Sequence, residues 1–274
     1  MAYCNFRGKQ IYYDVQGEGE PLVLLNGIMM STLSWEPFVK TLTPFVKLIR
    51  LDFLDQGKSD KMVDEPPYTQ DIQVEVLKAV LDDLQLTQVH LMGISYGGEV
   101  ALRFVVQYPD YVKRLLLFNT TAYTNPWLYD IGKAWNLAAK TRVGEAYYYT
   151  TIPVIYSPEF YENRLDWMRR REGVLFPVFS NPEFTDAMIR LTLSANDHDV
   201  RDQLATIHKP TLIVGCEQDY IVPLAQQEYL QQAIQGSQFV KIPHSGHASM
   251  YERPALFAAI LLGYVLLPST DFAI

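Results

Sequence analysis

The feature that most narrows the folds open to this chain is a series of short apolar runs, each stopped by a turn residue. Pro21 to Leu25 stops at Asn26-Gly27, Val46 to Leu51 at Asp52, and Val89 to Met92 at Gly93. Arg114 to Phe118 stops at Asn119, Thr211 to Val214 at Gly215, and Phe239 to Ile242 at Pro243. A half-solvated strand alternates apolar and polar residues. An unbroken apolar run of this length fits a strand covered on both faces, as in a parallel sheet. Segments of helical period lie between the runs. Gln70 to Leu84 brings Ile72, Val76, Ala79, Val80 and Leu84 near one face; Gly97 to Tyr108, closed by Pro109, and Leu224 to Ile234 are further helices. Strand alternating with helix implies βαβ units, hence an α/β fold with a mostly parallel central sheet flanked by helices.

Two stretches depart from the alternation. Ile11 to Val15 alternates weakly before Gly17 and Gly19, which reads as an early hairpin ending in a Gly-rich turn. From about 124 to 201 the pattern is mainly helical and rich in aromatics, among them Trp127, Trp135, Tyr147, Tyr148, Tyr149, Tyr156 and Trp167. Pro126, Pro153, Pro158, Pro177 and Pro182 should cut it into short pieces. We read it as a helical cap inserted over the sheet's C-terminal edge within a single domain of residues 1–274.

Composition excludes some roles. A net charge of −8 without a basic stripe repels phosphate backbones, so nucleic acid is not an expected partner. Ala258 to Leu267 is apolar but too short to span a bilayer and reads as a buried final helix. The first ten residues show no secretory signal, and Cys4 and Cys216 read as free thiols, so a cytoplasmic setting is expected.

Gly93-Ile94-Ser95-Tyr96-Gly97 lies between an apolar run and a helix. There G-x-S-x-G marks a turn too tight for flanking side chains, which lifts the serine hydroxyl above the sheet. The helix that follows aims free N–H groups and its positive end at developing negative charge. Serine alone is a weak nucleophile and needs a base held by a third group. On such a turn the acid and then the base follow in the chain. Asp219, in the loop after Thr211 to Val214, is the candidate acid, ahead of Glu217 and Asp202. His247 is the candidate base, because Gly246 permits a close turn before it; His244 reads as a rim residue. His90, His198 and His208 read as structural or surface residues. Oxyanion donors are expected from the backbone N–H of Tyr96 and of Ile28, with Met29 a lesser candidate.

These motifs resemble the α/β-hydrolase superfamily over nearly the whole chain. The matching segments are Leu22 to Gly27, Asp52 to Ser59, Gly93 to Gly98, Gly215 to Pro223 and Ser245-Gly246-His247. The resemblance implies a Ser95-His247-Asp219 catalytic triad that needs no cofactor, and no metal-ligand spacing is visible. Two positions depart from the usual pattern: Asn26 stands where His is common, and Asp55 where a glycine is usual. Asn26-Gly27 with Met29-Met30 after it also resembles an acyltransferase-like branch that builds hydroxyalkanoyl lipids, over the first part of the chain only. The expected activity is hydrolysis of an ester, thioester or lactone of a small-molecule substrate with an apolar acyl group. Acyl transfer from a thioester to a hydroxyl, and a non-hydrolytic binding protein on the same fold, are the alternatives; the oligomeric state is left open.

Overall fold

The computed structural model describes residues 2–267. Eight strands form one sheet: β1 (Ala2–Phe6), β2 (Lys9–Gln16), β3 (Pro21–Leu25), β4 (Lys47–Leu51), β5 (Val89–Ile94), β6 (Val112–Phe118), β7 (Thr211–Cys216) and β8 (Gln238–Ile242). Their order is β1-β2-β4-β3-β5-β6-β7-β8. β1 pairs antiparallel with β2, and β2 with β4; the remaining neighbours are parallel. The helices are α1 (Glu36–Leu42), α2 (Asp71–Asp83), α3 (Tyr96–Gln107), α4 (Pro126–Lys140), α5 (Gly144–Ile155), α6 (Pro158–Asn163), α7 (Leu165–Ser180), α8 (Pro182–Ser194), α9 (Leu224–Ala233), α10 (Ser249–Glu252) and α11 (Pro254–Leu266). The expected α/β architecture is the one the chain adopts.

The apolar runs are explained by burial on both sides. Successive strand residues face opposite ways. Leu22, Leu24, Leu48, Met92, Leu116 and Val214 pack on one side with Trp35, Phe38, Phe257 and Leu261. Val23, Leu25, Ile49, Leu91, Leu117 and Ile213 pack on the other with Val76, Val80, Val100 and Phe104. Buried polar side chains are few on the inner strands: Arg50 of β4, paired with Asp14, and His90 of β5 are examples.

Three local expectations are corrected. The hairpin turns at Arg7-Gly8, both at positive φ (52° and 85°), and not at Gly17 and Gly19. Its first arm, β1, is an edge strand with alternating burial and no continuous apolar signal. The glycines that stop two runs stay within their strands: Gly93 pairs with Leu25 and Leu117, and Gly215 with Lys241. Of the five prolines expected to cut the helical segment, Pro126, Pro158 and Pro182 open helices, where the missing N–H costs nothing. Pro153 and Pro177 instead lie inside the last turns of α5 and α7 and do not cut them.

Helices α4 to α8 fill the chain between β6 and β7. Their aromatics pack mostly on one another, as in the Tyr147–Phe179, Tyr148–Phe176 and Tyr156–Trp167 pairs. Residue 1 and residues 268–274, the ends of the expected single unit, lie outside the described residues. Among the described residues no helix is long and apolar enough to cross a membrane.

Candidate active site

Ser95 sits between β5 and α3 with φ 53° and ψ −124°, a conformation that costs a non-glycine residue about 1–3 kcal/mol. The turn is held by Ser95 N–H donating to Phe118 O at 2.9 Å and Thr120 Oγ1 donating to Ser95 O at 2.8 Å. Its glycines are required by contact. A Cβ on Gly97 would lie 2.5 Å from Leu25 O, one on Gly98 2.5 Å from Thr120 Cβ, and one on Gly93 would collide with the Gly97 backbone.

Asp219 follows β7 and His247 follows β8. His247 Nδ1 lies 2.8 Å from Asp219 Oδ2. Asp219 Oδ1 accepts the N–H groups of Ile221 (2.9 Å) and Val222 (2.8 Å), so the carboxylate is fixed from behind. Its second oxygen also accepts Asn119 Nδ2 at 2.9 Å. Asn119 Oδ1 in turn accepts Ser249 Oγ at 3.1 Å and the Cys216 thiol at 3.7 Å. Burial pushes that thiol up to about 11, so Cys216 packs as a neutral group. Asn119 was not singled out in the sequence, where it appears only as the residue ending a strand.

Other acids and histidines lie elsewhere. Glu217 is exposed and pairs with Lys241, and Asp202 is exposed. The His244 side chain is 63% exposed on the rim beside Glu159, against 10% for His247. His198 accepts from Arg103 Nε, and burial pushes it down to about 4, as it does His90 within β5. Glu252 pins the loop before His247: its carboxylate accepts Gly246 N–H (3.0 Å), Ser157 N–H (2.9 Å) and Ser157 Oγ (2.6 Å). A Cβ on Gly246 would lie 2.5 Å from Ser157 N, so the approach requires glycine.

The loop after β3 is anchored by side chains. Asn26 Nδ2 donates to Leu51 O (2.9 Å) and Gln56 Oε1 (3.0 Å), and Asn26 Oδ1 accepts Trp35 Nε1 (2.7 Å). Gln56 Nε2 donates to the carbonyls of Gly27 (2.9 Å) and Ile28 (3.3 Å). Both carbonyls are thus drawn toward Gln56, and Ile28 N–H has no protein acceptor among the described residues. Tyr96 opens α3, where no earlier helical carbonyl can reach its N–H. Asp55 stands at φ 70°, consistent with glycine being usual there; its carboxylate takes Arg190 of α8 (2.5 and 2.9 Å) and Tyr68 Oη (2.6 Å).

Two cavities meet at Ser95, and Ile28 and Trp135 line both. The larger, about 230 Å³, adds His247, Met30, Ile152, Tyr156, Arg171 and Leu175. The smaller, about 60 Å³, adds Tyr96, Glu99, Leu128, Ile131 and Val222. Ser95 and His247 therefore share a cavity, though no hydrogen bond joins Ser95 Oγ to the imidazole. Catalytic hydrogen bonds are often long in unliganded enzymes and tighten with substrate. Glu99 is 4% exposed, and burial pushes its carboxyl up to about 7, while Gln70 Nε2 donates to it at 2.5 Å.

Comparison with known proteins places this geometry. The alpha/beta hydrolase family model matches residues 22–260. A solved alpha/beta hydrolase enzyme, MGS-M2, from a Medee basin deep-sea metagenome library is 47% identical, covers 100% of both chains and superposes with a TM-score of 0.97. The 2-hydroxy-6-oxononadienedioate/2-hydroxy-6-oxononatrienedioate hydrolase of Escherichia coli (strain K12) is 26% identical over 94% of this chain and 92% of its own. The enol-lactonase from Burkholderia xenovorans LB400 shares the fold, with a TM-score of 0.84 at 22% identity over 97% of this chain and 100% of its own. Sheet order, family match and a structure of nearly half-identical sequence agree that the chain is a hydrolase belonging to the alpha/beta hydrolase family.

Proposed function

We propose that the chain hydrolyses an ester, thioester or lactone through an acyl-enzyme on Ser95. One observation carries the reading: a serine on a strained turn opens into the cavity of a histidine whose far nitrogen is held by a fixed carboxylate. In this reading His247 Nε2 takes the Ser95 proton as Oγ attacks the acyl carbonyl. Asp219 holds the tautomer and stabilises the imidazolium. The N–H groups of Ile28 and Tyr96 receive the oxyanion; losing one such donor typically costs about 100-fold to 1000-fold in rate. His247 returns the proton to the leaving group, water enters with His247 again as base, and Ser95 is released. The apolar walls from α4, α5 and α7 act as a cap that selects an apolar acyl group.

The test is a panel of p-nitrophenyl esters and acyl thioesters of graded chain length, run on wild type and Ser95→Ala. Turnover of short or medium chains is expected, falling by roughly 1000-fold or more in the variant. Product analysis with added alcohol separates hydrolysis from transfer. Equal turnover by Ser95→Ala, or failure of a fluorophosphonate to label Ser95 in folded wild type, would overturn the reading.

A further inference from the structure

Helix α7 carries three arginines in a row, and the structure separates them. Arg169 pairs with Glu172, and Arg170 pairs with Asp166 at 2.8 Å; their side chains are 51% and 66% exposed. Successive helical residues point about 100° apart. Arg171 therefore turns inward and lines the cavity shared by Ser95 and His247. Its guanidinium carbon lies 4.4 Å from the Trp167 ring centre, 5.6 Å from that of Tyr156 and 5.8 Å from that of Tyr251. Nη1 donates to Tyr156 Oη. Among the described residues no carboxylate pairs with Arg171, and its Nε and Nη2 have no protein acceptor. Glu252, next in the chain to Tyr251, is engaged by Ser157 and Gly246.

A cation partly removed from water is costly unless paired. Aromatic faces offset part of that cost. They also orient the guanidinium plane and leave its Nε–Nη2 edge as a two-donor fork, the geometry that fits a carboxylate. Among the described residues no second Lys or Arg lines the cavity, so the site matches a monoanion better than a phosphate dianion. We propose that Arg171 binds a carboxylate of the substrate, so that the enzyme acts on esters, thioesters or lactones carrying a carboxylate apart from the scissile bond. The proposal rests on the hydrolase reading above and names the substrate class for the same site. Ser95 with its oxyanion donors fixes one end of such a substrate and Arg171 the other. A sharp optimum in spacer length follows.

Two series test this on the full chain: methyl half-esters of dicarboxylic acids and alkanoyl esters of hydroxy acids, each beside a neutral ester of matched length. Wild type should prefer the anionic member of at least one series by about 10- to 100-fold in kcat/KM, mainly through KM, at one spacer length. In Arg171→Gln that preference should fall to about unity, and Arg171→Lys should restore part of it. Equal losses for anionic and neutral esters would mark Arg171 as a packing residue and overturn the proposal, as would absence of preference in wild type. Calorimetry of monomethyl adipate with Ser95→Ala keeps the two readings apart. Binding lost in Ser95→Ala/Arg171→Gln supports the carboxylate site even if no ester is turned over. No binding by Ser95→Ala, with no preference in turnover, refutes it.

Discussion

Glu99→Gln should raise the stability of the protein, and the gain should grow with pH. Glu99 lies in the first turn of α3 and is 4% exposed, and among the described residues its carboxyl group has Gln70 as its one hydrogen-bond partner. Burial pushes its carboxyl from 4.5 to about 7; Gln70, Arg103 and His247 only partly oppose that rise. Below pH 4.5 the group is protonated in the folded and the unfolded chain alike, and the substitution is nearly neutral. As pH rises from 4.5 to about 7, the unfolded chain releases this proton while the folded chain keeps it, so wild type loses stability. Above that range both forms are ionised and the full penalty of a buried charge is present. At about 1.4 kcal/mol per pH unit the penalty reaches about 3 kcal/mol. Glutamine keeps the shape without the charge, and its amide can donate to Gln70 Oε1, which has no partner. Urea unfolding of both proteins at about pH 5 and about pH 8.5 should show the variant's advantage growing by about 2 to 3 kcal/mol between the two. An advantage that does not change with pH, or a variant less stable at the higher pH, would refute the assignment of a neutral buried Glu99.

Two further substitutions probe the supports of the site. Asn119→Ala removes a hydrogen bond to the Asp219 carboxylate and strands Ser249 Oγ, so unfolding free energy should drop by about 2 to 4 kcal/mol and kcat should fall more than KM rises; an unchanged kcat would show that Asp219 is held well enough by its two backbone donors. Arg190→Ala leaves the fully buried Asp55 side chain without its cation and should cost about 2 to 3 kcal/mol by urea unfolding, less than a wholly enclosed pair because Arg190 is 22% exposed. Asp55→Gly/Arg190→Leu, which removes the charge pair and suits the φ of 70°, should recover most of that loss, and failure to recover any would point to packing by Arg190 instead.

What could be read from the sequence and what could not follow from the reach of each signal. The inner parallel strands were legible because both faces of each are covered, which favours apolar residues in succession; β8, at the edge, leaves Gln238 and Lys241 exposed. β1 was not legible, because an edge strand needs only Cys4 and Phe6 inward and leaves Tyr3 and Asn5 to solvent. Ser95, Asp219 and His247 each stand in a local pattern, a turn after a strand, so a reader of the chain can point to them one by one. The residues that hold them carry no local pattern. Asn119 meets Asp219 across 100 positions because β6 and β7 are neighbours in the sheet. Gln56 reaches Gly27 because β3 and β4 lie side by side. The aromatic helices carry a signal that composition cannot place: their rings pair chiefly with each other, and the wall facing Ser95 is largely aliphatic. Arg171 shows why composition alone misleads. In the sequence it is one of three equivalent charges on a polar helix. Only the angular step of α7 and the acids already taken by its two neighbours leave this one turned to the cavity with donors to spare.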